Sequence, residues 1–256
     1  MINIAPNPIL FDLGIIKIHY YGLIFVIAVL VSMFIIEKIT KKQGGYNKNH
    51  IENLYLYLLV FGIVGARLYS VFFFDWNYYK YNLLDIIKIW NGGIAIQGAV
   101  ISGTITVYIY CKKNKLDFLK YIDLFALIMP LAQAIGRWGN FFNNELYGKI
   151  SDLPWAVYIK DTDHYHHPVF LYESILNVIL FIILYKFLSR GYFKGKIISY
   201  YIIGYGIIRF LMEFIRIDIV PQIMGLRLPM ITSIFWLIIG IISLSLLTKK
   251  YKSGII

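Results

Sequence analysis

Seven stretches of mostly apolar residues recur along the chain, at about 19–36, 54–73, 93–111, 119–136, 169–187, 197–215 and 230–248. Each is long enough to cross the ~30 Å of bilayer hydrocarbon as a helix, which takes roughly 17–25 residues. A span leaves no backbone group for water to satisfy, so a helix is the natural form for such a run. Composition agrees, with 59% hydrophobic and 15% charged residues, where soluble domains carry about 25% charge. The reading is an all-α polytopic membrane protein with about seven transmembrane helices, one domain over residues 1–256. An ordinary soluble protein, a disordered chain and a collagen-like fibre are excluded. The single cysteine, Cys111, excludes an intrachain disulfide, a Cys-rich zinc site and an iron–sulfur cluster held by this chain alone. No internal repeat marks the chain, which argues against an inverted-repeat transporter.

The first apolar run is expected to stay as an anchor: Asp12 and a single Lys17 precede it, and no A-x-A site follows it. Lysine and arginine then set the orientation. The segments after the first, third and fifth runs and the tail carry 15 of them, the opposite side carries 8, and Arg67 and Arg209 lie within runs. Positive residues collect on the cytoplasmic side, so the N-terminus is expected outside and the C-terminus inside. The net charge of +11 is therefore a topology signal rather than a sign of nucleic acid. The longest loop, about 138–168, is expected to form a small extracytoplasmic elaboration between spans four and five. Its His164, His166 and His167 have no cysteine near them, and a metal is not expected there.

Charged groups are costly inside a bilayer and mark function by default. The first, fifth and seventh runs read as clean, whereas Arg67, Gln97, Arg137 and Arg209 interrupt the others. Tyr205, Arg209, Glu213 and Arg216 fall on one helical face at ~100° per residue. The run Gly136-Arg137-Trp138-Gly139-Asn140-Phe141-Phe142-Asn143-Asn144-Glu145 places an arginine fork between glycines, with amides and a carboxylate following. A guanidinium suits phosphate, and amides and carboxylates suit hydroxyls. Ala95, Ala99 and Gly103 form a small-residue stripe for close helix contact. Arginines and amides gathered near the outer leaflet point to a lipid phosphate with a polar headgroup. The residues alone leave open an enzyme or a phospholipid-binding transporter or carrier without covalent chemistry. No nucleophile elbow, Walker loop or H-E-x-x-H is present.

The sequence resembles the prolipoprotein diacylglyceryl transferase family. The Gly136–Glu145 run is close to that family's G-R-x-G-N-F-x-N-x-E signature. Tyr21-Gly22, Gly65-Ala66-Arg67, Trp90-Asn91-Gly92-Gly93, His167-Pro168 with Leu171-Tyr172-Glu173, and Tyr205-Gly206 with Arg209-Phe210 and Glu213-Phe214 follow the family pattern in order. The resemblance implies a bacterial cytoplasmic-membrane enzyme of seven spans. It would move the sn-1,2-diacylglyceryl group of phosphatidylglycerol to the lipobox cysteine of a prolipoprotein, releasing glycerol 1-phosphate, with no cofactor. It further implies that Arg137 and Arg209 are the functional arginines, that Asn140 and Glu145 orient headgroup hydroxyls, and that Tyr21 and Tyr205 line the site. Arg67, Glu213 and His167 are expected to join the lipid-binding set. Two positions depart from the pattern. Gln97-Gly98-Ala99 stands where the family usually has His-Gly-Gly, which puts Gln97 with Arg137, Arg209 and Glu145 in the expected catalytic set, and Thr232 stands where it often has Gln. Glutamine accepts no proton at physiological pH, so His167, Glu145 or the field of Arg137 and Arg209 are the alternatives for activating the thiol.

Overall fold

A computed structural model describes residues 8–12, 14, 17–189 and 193–254. Eight α-helices and three two-stranded β-hairpins follow one another along them. The helices are α1 (Tyr20–Gln43), α2 (Lys48–Phe73), the short α3 (Trp76–Tyr79), α4 (Ile96–Lys113), α5 (Phe118–Phe142), α6 (Val169–Ser189), α7 (Lys196–Met212) and α8 (Leu228–Lys252). The hairpins are β1 (Ile9–Asp12) with β2 (Lys17–His19), β3 (Val157–Ile159) with β4 (His164–His166), and β5 (Gln222–Ile223) with β6 (Leu226–Arg227). Five of these helices, α1, α2, α5, α6 and α8, are long and apolar enough to cross a membrane. The two other expected spans coincide with α4, which Gln97, Ser102, Thr104 and Thr106 make more polar, and with α7, which has 17 residues. The long helices carry large apolar side chains outward, such as Leu30 and Phe34 on α1 and Leu56 on α2. That arrangement suits a hydrocarbon surrounding rather than water.

The chain divides into two compact units, residues 37–122 and the remainder. In the smaller unit α2 packs on α4 through glycine. A Cβ on Gly98 would lie 2.2 Å from the Gly65 carbonyl oxygen, and one on Gly65 would lie 2.2 Å from Ser102 Oγ. The close approach thus runs through Gly98 and Ser102 rather than the expected stripe of Ala95, Ala99 and Gly103, of which Gly103 would bring a Cβ no nearer than 3.3 Å to Leu58. After α2 the chain turns through α3 and two 3₁₀ turns, Leu83–Ile87 and Ile89–Asn91, before α4 begins.

In the larger unit α6, α7 and α8 pack side by side, again at glycines. A Cβ at Gly204 would meet Leu180 Cδ1 at 2.4 Å, and one at Gly240 would meet Ile203 Cγ1 at 2.7 Å. The start of α7 is tied to α5 by Asp123, which is buried. Its carboxylate accepts the backbone N–H of Gly195 at 2.6 Å and of Ile198 at 2.8 Å. This supplies, from another helix, the cap that the glycine at the α7 N-cap lacks. Past α5 the chain forms the β3–β4 hairpin rather than a structureless loop. His166 is buried there, and its Nδ1 donates to the Gly148 carbonyl at 2.6 Å.

Replacing Asp123 by Ala is expected to destabilise the protein by about 1–2 kcal/mol through loss of this cap, with Asp123→Asn losing less. Thermal melting of the detergent-solubilised protein reads this directly; an unchanged midpoint for Asp123→Ala would show that the tie contributes nothing.

Candidate active site

The polar centre of the larger unit is built around one carboxylate. Glu173 lies one turn into α6, with a side chain 1% exposed, and three guanidiniums reach it. Arg137, in the penultimate turn of α5, pairs with Oε2. Arg209, near the end of α7, reaches Oε1 at 3.4 Å, and Arg216 reaches the same oxygen at 3.0 Å. A buried carboxylate is tolerable only with such partners, because an unpaired charge in low dielectric costs several kcal/mol. Run 169–187 is therefore not the clean apolar run that composition suggests: Glu173 and Asn177 are both buried within it. Its inward face is polar although its average is not.

A second carboxylate extends the network. Glu213 follows the last residue of α7 and is 2% exposed. Its Oε2 lies 3.3 Å from Arg209, and its Oε1 accepts from Arg227 at 2.7 Å. Asp218 completes the set, taking Arg216 Nε at 2.6 Å and Nη2 at 2.5 Å through Oδ2. Burial works against the Arg216 charge, but Glu173 and Asp218 outweigh it and hold its pKa above the ordinary guanidinium value. The expected face over 205–216 holds as far as Glu213, which keeps helical backbone and pairs with Arg209 at i,i+4. The helix ends at Met212, and Arg216 reaches Glu173 from the turn beyond, where residue 216 bridges Gly148.

Arg137, Arg209 and Arg227 are the more accessible members, with side chains 17%, 22% and 22% exposed against 5% for Arg216. Beside Arg137 the signature run continues around the end of α5. Arg137 Nη1 donates to Asn140 Oδ1 at 3.4 Å, Asn140 Nδ2 donates to Glu145 Oε1 at 2.9 Å, and Asn143 Nδ2 reaches the same oxygen at 3.3 Å. Asn144 and Leu146 take left-handed backbone, φ 53° and 60°, turning the chain sharply on either side of Glu145. Gly139 lets the Tyr21 ring lie directly on α5, since a Cβ there would stand 2.5 Å from Tyr21 Cδ2. A narrow recess opens here, lined among others by Asn140, Glu145, Tyr147 and His167. His167 Nδ1 lies 3.2 Å from the Tyr172 hydroxyl. A wider apolar groove of about 750 Å³ runs between Ile24 of α1, Leu131, Ile135 and Trp138 of α5, and Val178 of α6. Tyr205, one turn before Arg209, stacks on Tyr201, whose hydroxyl accepts from Gln133 at 2.9 Å.

Of the expected residues, Arg137, Arg209, Glu213, Asn140 and Glu145 are thus joined in the larger unit, with Tyr21 on Gly139 beside them. Gln97 and Arg67 belong to the smaller unit. Gln97 is exposed in the first turn of α4. Arg67 has a different task from the lipid contact expected of it. Its Nε donates to Ile86 O at 2.8 Å, Nη1 to Gly92 O and Gly93 O at 2.5 and 3.0 Å, and Nη2 to Asp85 O and Lys88 O at 2.6 and 3.3 Å. All five N–H groups end on backbone carbonyls, so no donor is left for a phosphate. Arg67 holds the segment between α3 and α4 onto α2. The sequence reading did not assign Glu173 or Arg227 to the site. Glu173 had a usable signal, as the lone acidic residue in its run; Arg227 had none, because a single basic residue before a span is ordinary.

The profile of the family described as prolipoprotein diacylglyceryl transferase matches residues 8–246. The phosphatidylglycerol–prolipoprotein diacylglyceryl transferase of Finegoldia magna is 42% identical over 251 residues, covering 98% of each chain. That numbered 1 in Clostridium perfringens is 39% identical, covering 97% of this chain and 98% of the relative. That of Clostridioides difficile is 37% identical over 250 residues, covering 97% and 98%.

Removing the central carboxylate by Glu173→Ala leaves three guanidiniums facing one another and is expected to cost about 3–5 kcal/mol of stability. Thermal melting checks this; a midpoint within a degree of the parent would show that Glu173 does not hold the cluster.

Proposed function

The chain belongs to the prolipoprotein diacylglyceryl transferase family, and from that membership we infer that it transfers the sn-1,2-diacylglyceryl group of phosphatidylglycerol to the lipobox cysteine of a prolipoprotein. The cysteine sulfur forms a bond to the terminal glycerol carbon of the diacylglyceryl group. The bond from that carbon to the phosphate oxygen breaks, and glycerol 1-phosphate leaves with the thiol proton. Negative charge gathers on the departing phosphate, so preorganised donors aimed at it lower the barrier.

The observation that carries the reading is the convergence of Arg137 and Arg209 on one buried carboxylate, with each guanidinium still partly open. Each of these two guanidiniums, still partly exposed, attracts the single negative charge of a phosphodiester. Arg137 and Arg209 clamp the phosphate; Asn140 and Glu145 take the hydroxyls of the glycerol headgroup in the adjoining recess; Tyr21, Tyr205 and His167 border the site. The apolar groove beside Trp138 suits an acyl chain, since it starts one residue along from Arg137 on α5. Gln97 offers hydrogen bonds but no base. Glu145 and His167 are the groups of the larger unit placed to influence the thiol, and the departing phosphate oxygen is a sufficient final proton acceptor. Helices α4 and α7 serve as the remaining two spans in this reading. The N-terminus and the β3–β4 elaboration then lie on the extracytoplasmic side of the cytoplasmic membrane, as the lysine and arginine count requires.

Protein in phosphatidylglycerol vesicles with a lipobox peptide is expected to yield a peptide heavier by one diacylglyceryl group, read by mass spectrometry. Arg137→Ala is expected to lower this transfer at least about a hundred-fold, assayed below its own melting midpoint because Glu173 Oε2 loses its partner. Unchanged transfer in that variant would remove the phosphate clamp; absence of transfer by the parent would remove the reading itself.

A further inference from the structure

Arg227 is the last residue of β6 and stands at the N-cap position of α8, with no side-chain capping bond. Its Nε donates to Glu213 Oε1 at 2.7 Å, and its Nη2 donates to the backbone oxygen of Asp218 at 2.8 Å. The other oxygen of Glu213 faces Arg209. A buried carboxylate with a single guanidinium partner tends to close a two-pronged pair with it. Such a pair would turn both prongs of Arg209 towards Glu213 and away from any anion. Arg227 prevents this by occupying Oε1. Arg216 plays the parallel part at Glu173, where it is locked in place by Asp218. Arg137 and Arg209 remain partly exposed beside them.

We propose that Arg227 is a positioning residue for the donor phosphodiester, acting through Glu213 to hold Arg209 open to the phosphate. The proposal rests on the lipid-transfer reading given above. It predicts an effect on the lipid's apparent affinity rather than on turnover, because Arg227 acts on how Arg209 is presented before the reaction begins.

The test uses the full chain in vesicles with phosphatidylglycerol varied and lipobox peptide in excess, counting lipidated peptide by mass spectrometry. The parent is measured first, since its failure to transfer would overturn the lipid-transfer reading and is thereby told apart from failure of this proposal. With an active parent, Arg227→Gln is expected to raise KM for phosphatidylglycerol about ten-fold while kcat stays within about two-fold. Arg227→Lys keeps the charge without the fork and is expected to fall between. A KM for Arg227→Gln within about two-fold of the parent, or a loss confined to kcat, overturns the proposal. Melting of each variant is followed alongside. Should Arg227→Gln unfold at the assay temperature, Arg227→Lys decides: a KM raised by about three-fold supports the role, and an unchanged KM overturns it.

Discussion

One buried carboxylate draws three guanidiniums to a single point, and the polar half of this protein is arranged around it. Arg137, Arg209 and Arg216 repel one another, and each is expensive in a low-dielectric surrounding. Glu173 makes their meeting tolerable, and because they come from α5, α7 and the turn after α7, it fixes those elements relative to α6. The arrangement is not closed to a ligand, because Arg137 and Arg209 remain partly accessible.

The apolar remainder serves this centre by bringing helices close enough. Glycine removes the spacing a side chain imposes: Gly204 and Gly240 let α7 approach α6 and α8, and Gly139 lets Tyr21 rest against α5 just past Arg137. Asp123 fixes the opposite end of α7 through backbone N–H groups. Arg209 near one end of that helix and Asp123 at the other thus tie it to its neighbours at two heights. In the smaller unit, Arg67 shows the same residue type used differently. There the guanidinium is enclosed by carbonyls and acts as a hub for the chain itself.

Much of this was legible in the sequence, for physical reasons. The seven apolar runs each contain a helix, because hydrocarbon length and backbone satisfaction leave few alternatives. The Gly136–Glu145 run gave the site its core, since polar groups so dense at a span end have few structural uses. What stayed hidden required knowing which groups are neighbours. Glu173 was masked by the apolar average of its run, and its role appears only once three arginines are seen to face it. Arg67 looked like Arg137 in one dimension; the carbonyls that occupy it come from residues 18–26 positions further on. Arg216 was placed on a helix that in fact ends four residues earlier, because periodicity cannot see the turn after Met212.

The central claim is that Arg137 and Arg209, gathered by Glu173, together hold one phosphate. A structure of the protein in phosphatidylglycerol nanodiscs, resolved well enough to place the headgroup, tests it most directly. The account predicts a single phosphate within hydrogen-bonding distance of both guanidiniums, with the glycerol headgroup towards Asn140 and Glu145. A phosphate bound to neither arginine, or lipid excluded from that end of the bundle while the protein is active, would contradict it.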